Sequence, residues 1–256
     1  MEQLQMIDKT KELANADNHI SAVLMYGSFI KGEGDQYSDI EFYIFYNQDF
    51  NHEEWVNQIH KTKVFFTNEF GTEVAIFENW IRGEFHFLPL ENMNIIKSWE
   101  NYLSFEYYKN MMLVDKDGKL AETLASIDKI RPTHSSKENI DWICKSLLNN
   151  MLMTKGLIER GENAHAQQAF QYIQKYLLFL IRLESDADNH WESPTKKIEQ
   201  EIPSEWYDIY THCVPTLDEE SLLKCFNNCI DILSTFQNVS IPQIMLASFI
   251  EIRFND

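Results

Sequence analysis

The apolar pattern changes character near residue 115, and that change limits the possible architectures more than any other feature of the chain. Before it, apolar runs are short and rich in β-branched and aromatic residues. After it, apolar residues recur at helical spacing over long stretches. Such a chain calls for a sheet-bearing α/β part followed by an all-α part. Residues 20–26, 39–46, 73–77, 83–88 and 111–114 each read as a strand. Residues 2–15 and 52–68 read as helices, the second with Asn51 as its N-cap. Gly71-Thr72 and Lys116-Asp117-Gly118 are turn signals. The expected domains are therefore 1–115 and 116–256.

Beyond residue 119 the strand signal fades. Ser136-Lys137-Glu138 opens a long helix ending near Glu159, and Arg160-Gly161 marks its stop. Residues 163–183, 205–213, 219–236 and 241–254 are expected to be further helices, giving an antiparallel C-terminal helical bundle. Asp218-Glu219-Glu220 reads as a helix N-terminus favoured by the macrodipole.

Composition narrows the function classes. Forty acidic residues against 22 basic ones give a net charge of −18, a poor surface for DNA or RNA, so no nucleic-acid partner is expected. The same field favours a cationic small molecule. No apolar run reaches the ~18 residues of a membrane span, and the first residues lack the basic and apolar regions of a signal peptide. No membrane partner and a cytoplasmic location are the resulting expectations. Cys144, Cys213, Cys225 and Cys229 then read as free, reduced thiols, and Cys225 and Cys229, four apart on a helix, as buried thiols rather than a zinc site.

The informative segment runs from Met25 to Phe45. A strand ends at Gly27-Ser28, a ten-residue connection follows, and a second strand begins Asp39-Ile40-Glu41. Alternation along a strand puts Asp39 and Glu41 on one face and Ile40, Phe42 and Ile44 on the other. Two carboxylates beside a Gly-Ser turn can hold Mg²⁺ against a triphosphate, because Mg²⁺ uses one or two carboxylates plus phosphate oxygens. Backbone amides after Gly27 and the Ser28 hydroxyl can meet a phosphate. In Gly83-Glu84-Phe85-His86-Phe87, Glu84 and His86 share the face opposite the two phenylalanines. A third carboxylate there can accept a proton from an attacking hydroxyl.

Gly-Ser, the ten-residue gap and Asp-x-Glu resemble the signature of the DNA polymerase β-like nucleotidyltransferases. Tyr26 to Phe45, and Gly71 to Phe87, look like the corresponding motifs of the large, B-type lincosamide nucleotidyltransferases. The close resemblance covers roughly the first third of the chain. It implies an N-terminal polymerase β-like nucleotidyltransferase domain, a mixed sheet with helices, followed by a helical domain for substrate binding and dimerisation. It implies transfer of AMP from ATP to a hydroxyl of a lincosamide antibiotic such as lincomycin or clindamycin, with Mg²⁺, in a homodimer. Residue by residue, it implies Asp39 and Glu41 as metal ligands, Gly27 and Ser28 on the nucleotide phosphates, and Glu84 as the general base. Lys31, alone or with Arg82, is either a triphosphate contact or a solvated side chain. His86 is either a partner of the site, a substrate contact or a satisfied, partly buried histidine. Two other functions fit the scaffold: an aminoglycoside adenylyltransferase, favoured by the acidic charge, and a non-catalytic antitoxin-like nucleotidyltransferase module.

Overall fold

The computed structural model describes residues 1–99, 108–127 and 133–255. The chain divides into two compact units, Met1–Pro132 and Thr133–Asp256. The boundary lies beyond residue 115 because Leu120, Leu124 and Ile127 are buried in the core of the first unit.

The first unit contains α1 (Glu2–Ala16), β1 (Ile20–Met25), β2 (Ile40–Tyr46), α2 (His52–Val56), β3 (Thr62–Thr67) and β4 (Glu73–Phe77). It continues with β5 (Arg82–Pro89), α3 (Tyr108–Met111), β6 (Met112–Asp115) and α4 (Lys119–Ala125). The strands form one mixed sheet in the order β3-β4-β5-β2-β1-β6. β2 and β5 run parallel, and the other neighbours are antiparallel. Ile40, Phe42 and Ile44 of β2 are fully buried, as the alternation requires. Phe85 of β5 stacks on Phe42 with ring centroids 5.7 Å apart and meets the edge of Phe77. Met6, Ile7 and Ala14 of α1 join the same core.

One expected element is corrected. Residues 52–68 are not one helix: only His52–Val56 is helical, and Thr62–Thr67 is the edge strand β3. The spacing of Trp55, Val56 and Ile59 is helical, and all three are buried. The next residues, Thr62-Lys63-Val64-Phe65-Phe66-Thr67, are β-branched and aromatic and pair with β4. The Asn57 side chain marks the switch by accepting from the backbone N–H and hydroxyl of Thr62. Asn51 does cap the short helix, accepting from the Glu54 N–H at 3.1 Å. The turn at Gly71 has φ +79°, a conformation that favours glycine.

The second unit is helical: α5 (Lys137–Glu159), α6 (Asn163–Glu184), α7 (Ile198–Glu201), α8 (Ser204–Thr211), α9 (Glu219–Leu233) and α10 (Gln243–Glu251). Ser136 caps α5 and Asp218 caps α9, each accepting a backbone N–H three residues on. Leu147, Phe170, Leu177, Leu180, Leu222, Phe226 and Phe249 are buried in one core. Within it, the fully buried Arg182 donates to the carbonyls of Pro194, Ala187 and Lys196 and to Glu201. Its donors thereby fasten the irregular segment between α6 and α8, since a buried guanidinium is tolerated only when its N–H groups are satisfied. The Glu184 carboxylate accepts from the backbone N–H groups of Gln237, Asn238 and Val239 and fastens the turn after α9. All four cysteines are free and buried. Among the described residues, no helix is long and apolar enough to cross a membrane.

Phe85→Ala is expected to cost about 3–5 kcal/mol, the usual range for emptying an aromatic site in a packed core. Urea unfolding followed by near-UV circular dichroism measures it.

Candidate active site

The parallel register of β2 and β5 builds the site. Glu41 lies opposite Glu84, and Tyr43 lies opposite His86. All four side chains are half-buried, whereas their neighbours Phe42 and Phe85 are fully buried on the other face. The sheet thus separates an apolar face from a face carrying the polar groups.

β1 ends at Met25, and the chain turns at once into the Gly27-Ser28 corner. The Tyr26 N–H bonds to the Glu41 carbonyl at 3.1 Å, fixing the corner against β2. Gly27 has φ +81°, and a Cβ there would stand 1.5 Å from the Glu41 Oε2. Only glycine leaves room for that carboxylate. Ser28 begins a short 3-10 turn, Phe29–Lys31, that closes at Gly32. The Ser28 Oγ is buried and has no hydrogen-bond partner among the described residues. An unsatisfied buried hydroxyl beside a carboxylate suits an oxygen-rich ligand. Lys31 is half-buried on the same turn and makes no ion pair among the described residues. Ser38 is engaged in a local turn with Asp35.

Arg82 ties the carboxylates together. Its Nη1 donates to Asp39 Oδ2 at 2.5 Å and its Nη2 donates to Glu84 Oε1. Partial burial works against the guanidinium's charge, but the bonds to Glu84 and Asp39 outweigh it and raise its pKa. The Arg82 side chain is 43% exposed, so it can move without opening the core.

A second network lies deeper. The Tyr26 hydroxyl donates to Glu84 Oε2 at 3.2 Å and lies 3.0 Å from His86 Nε2. His86 stacks on Tyr43 with centroids 4.1 Å apart and planes 6° from parallel, and Tyr43 packs on Trp99. Burial and the neighbouring Glu41 and Glu84 charges push the Tyr26 pKa far up, so its phenol stays protonated. Burial pulls the His86 pKa down, against the pull of Glu84, and favours the neutral ring.

The structure therefore brings together Gly27, Asp39, Glu41, Arg82, Glu84 and His86, with Ser28 and Lys31 on the adjoining turn. Sequence pattern alone gives no role to Tyr26 or Tyr43. The only signal for them there is that Tyr26 adjoins the Gly-Ser corner and Tyr43 follows Glu41 at the same-face spacing. Among the described residues, no three His, Cys, Asp or Glu side chains are gathered into a metal cage. Mg²⁺ does not need one, because it completes its shell with water and substrate phosphate oxygens. Two carboxylates with the unsatisfied Ser28 hydroxyl fit that mode of binding.

The family model described as "Lincosamide nucleotidyltransferase-like, C-terminal domain" matches residues 136–247. The match lies within the second unit. More particularly, this match agrees with the lincosamide nucleotidyltransferase resemblance of the N-terminal motifs. Among solved structures, the chain is similar to the crystal structure of an aminoglycoside 6-adenyltransferase from Bacillus subtilis. The two are 12% identical, with 100% of this chain and 94% of that one covered and a TM-score of 0.40. No curated protein matches the chain.

Gly27→Ala is expected to displace the Glu41 carboxylate and to place a side chain in left-handed backbone. It should lower stability by about 1–3 kcal/mol, measured from the urea midpoint, while the far-UV spectrum stays unchanged.

Proposed function

We propose that this protein transfers AMP from ATP to a hydroxyl of a lincosamide antibiotic and so inactivates it. The observation that carries the reading is the grouping of Asp39, Glu41 and Glu84 around the Gly27-Ser28 corner. The family match over residues 136–247 supports it from a separate part of the chain. In this reading Mg²⁺ is the metal, as the carboxylate pair and the resemblance imply, the homodimer is taken from the resemblance, and the cytoplasmic location from the sequence pattern.

Asp39 and Glu41 would hold Mg²⁺, which when bound neutralises charge on phosphate oxygens. Ser28 and the backbone amides of the turn bind phosphate oxygens. A triphosphate competes with Asp39 and Glu84 for Arg82, and Lys31 adds a second positive charge at the turn. Once Arg82 has left Glu84 Oε1, that oxygen can accept the proton of the acceptor hydroxyl. The hydroxyl oxygen then attacks the α-phosphorus in line, and pyrophosphate leaves on the opposite side.

A mass-shift assay with ATP, Mg²⁺ and clindamycin tests this. Wild type should add one AMP to the drug. Glu84→Gln should lower the rate by about 10²–10⁴-fold, the usual contribution of a general base. An adduct on kanamycin or streptomycin, with none on clindamycin or lincomycin, would keep the chemistry and replace the acceptor. An adduct unaffected by Glu84→Gln would remove Glu84 from the role of base.

A further inference from the structure

The proposed reaction makes no use of one part of the site, the Tyr26 phenol between Glu84 and His86. We infer that Tyr26 is the positioning residue of the base, donating its proton to Glu84 Oε2 so that Oε1 faces the acceptor hydroxyl. This rests on the assignment of Glu84 made above.

Hydrogen-bond supply sets the direction of the chain. A phenol has one proton to donate and lone pairs to accept with. Glu84 Oε2 at 3.2 Å can only accept when the carboxylate is ionised. His86 Nε2 at 3.0 Å must then be the donor to the phenol oxygen. The chain runs from His86 Nε2–H to the Tyr26 oxygen, and from Tyr26 O–H to Glu84 Oε2. It fixes the neutral His86 ring as the tautomer protonated at Nε2.

Three observations hold this arrangement in place. The Tyr26 backbone N–H is bonded to the Glu41 carbonyl, so the phenol's origin is tied to β2. The His86 ring is stacked on Tyr43, its register partner, so it cannot turn freely. Tyr26 itself packs against both rings, with centroids 5.3 Å from Tyr43 and 5.8 Å from His86. A carboxylate held by a rigid aromatic donor has one oxygen committed and one available. The other oxygen is the one Arg82 holds, and Arg82 is the exposed, displaceable partner. The asymmetry gives distinct roles to the two Glu84 oxygens, one anchored and one reactive.

Tyr26→Phe keeps the ring and removes only the donor. With AMP transfer to clindamycin as the readout, kcat should fall by about 10- to 100-fold, the range for a hydrogen bond to a charged group. The KM for ATP should stay within about twofold, because the nucleotide contacts are untouched. In the Glu84→Gln background the same substitution should change kcat by less than about twofold, since it acts through the carboxylate. An additive loss in that background, or a rise in KM with kcat unchanged, would overturn the inference. The second arm needs no substrate: ¹⁵N NMR of the histidine rings near pH 8 should show His86 protonated at Nε2, with the signal shifted in Tyr26→Phe. A His86 ring protonated at Nδ1 would make Tyr26 a donor to His86 and would overturn the inference, whatever the enzyme transfers. If wild type adds AMP to none of the antibiotics, the assigned reaction fails, and the role of Tyr26 in it fails too. The tautomer arm separates that result from an error in the hydrogen-bond chain.

Discussion

The parallel pairing of β2 with β5 is the constraint on which the rest depends. Glu41 and Glu84 stand beside each other only because residues 40–46 align with residues 83–89 in that register. A slip of one residue would turn Glu84 toward the core and Phe85 toward the polar face, so burial of Phe42 and Phe85 enforces the register. Parallel neighbours need a long crossover. Here the crossover carries α2 and the β3–β4 hairpin, and β4 returns to pair with the other side of β5. β5 is thus held on both flanks, and a side chain on a central strand is a stiffer support than one on a loop.

Charge sets the second constraint. Three carboxylates on one face repel each other, and the chain as a whole is strongly acidic. Arg82 meets this locally by bridging Asp39 and Glu84, while Tyr26 supplies a neutral donor to the other Glu84 oxygen. The two partners differ in kind. Arg82 is long, exposed and able to re-pair with a phosphate, whereas Tyr26 is half-buried and fixed among rings. In a site built this way, a polyphosphate can displace only the partner that is free to move.

Much of this is legible in the sequence, for physical reasons. Alternation in Asp39-Ile40-Glu41-Phe42 and Glu84-Phe85-His86 has a period of two, so the faces can be read directly. The caps Asn51, Ser136 and Asp218 act within three residues and are equally readable. What local pattern misses is what distance decides. β3 reads as helix because Trp55, Val56 and Ile59 carry a helical spacing toward it, while its strand state comes from pairing with β4. By pattern α4 belongs with the helical half, but Leu120 and Leu124 are buried in the sheet's core. Tyr26 meets partners 58 and 60 residues away, and no spacing rule near Tyr26 points to them.

The two supports for a nucleotidyl-transferring role come from residues that do not overlap. The carboxylates, the Gly27-Ser28 corner and their hydrogen bonds lie between residues 26 and 86. The family match lies in residues 136–247, in a unit with its own core and its own buried polar clamps at Arg182 and Glu184. A chance arrangement of acidic residues on a strand face would not bring a particular helical domain with it. Equally, a helical domain kept for another purpose would not require glycine where a Cβ would strike the Glu41 carboxylate. The first unit offers the carboxylates and the Gly27-Ser28 turn that the proposed reaction needs. The lincosamide reading draws on both parts of the chain, on the motifs Tyr26 to Phe45 and Gly71 to Phe87 and on the family match over residues 136–247.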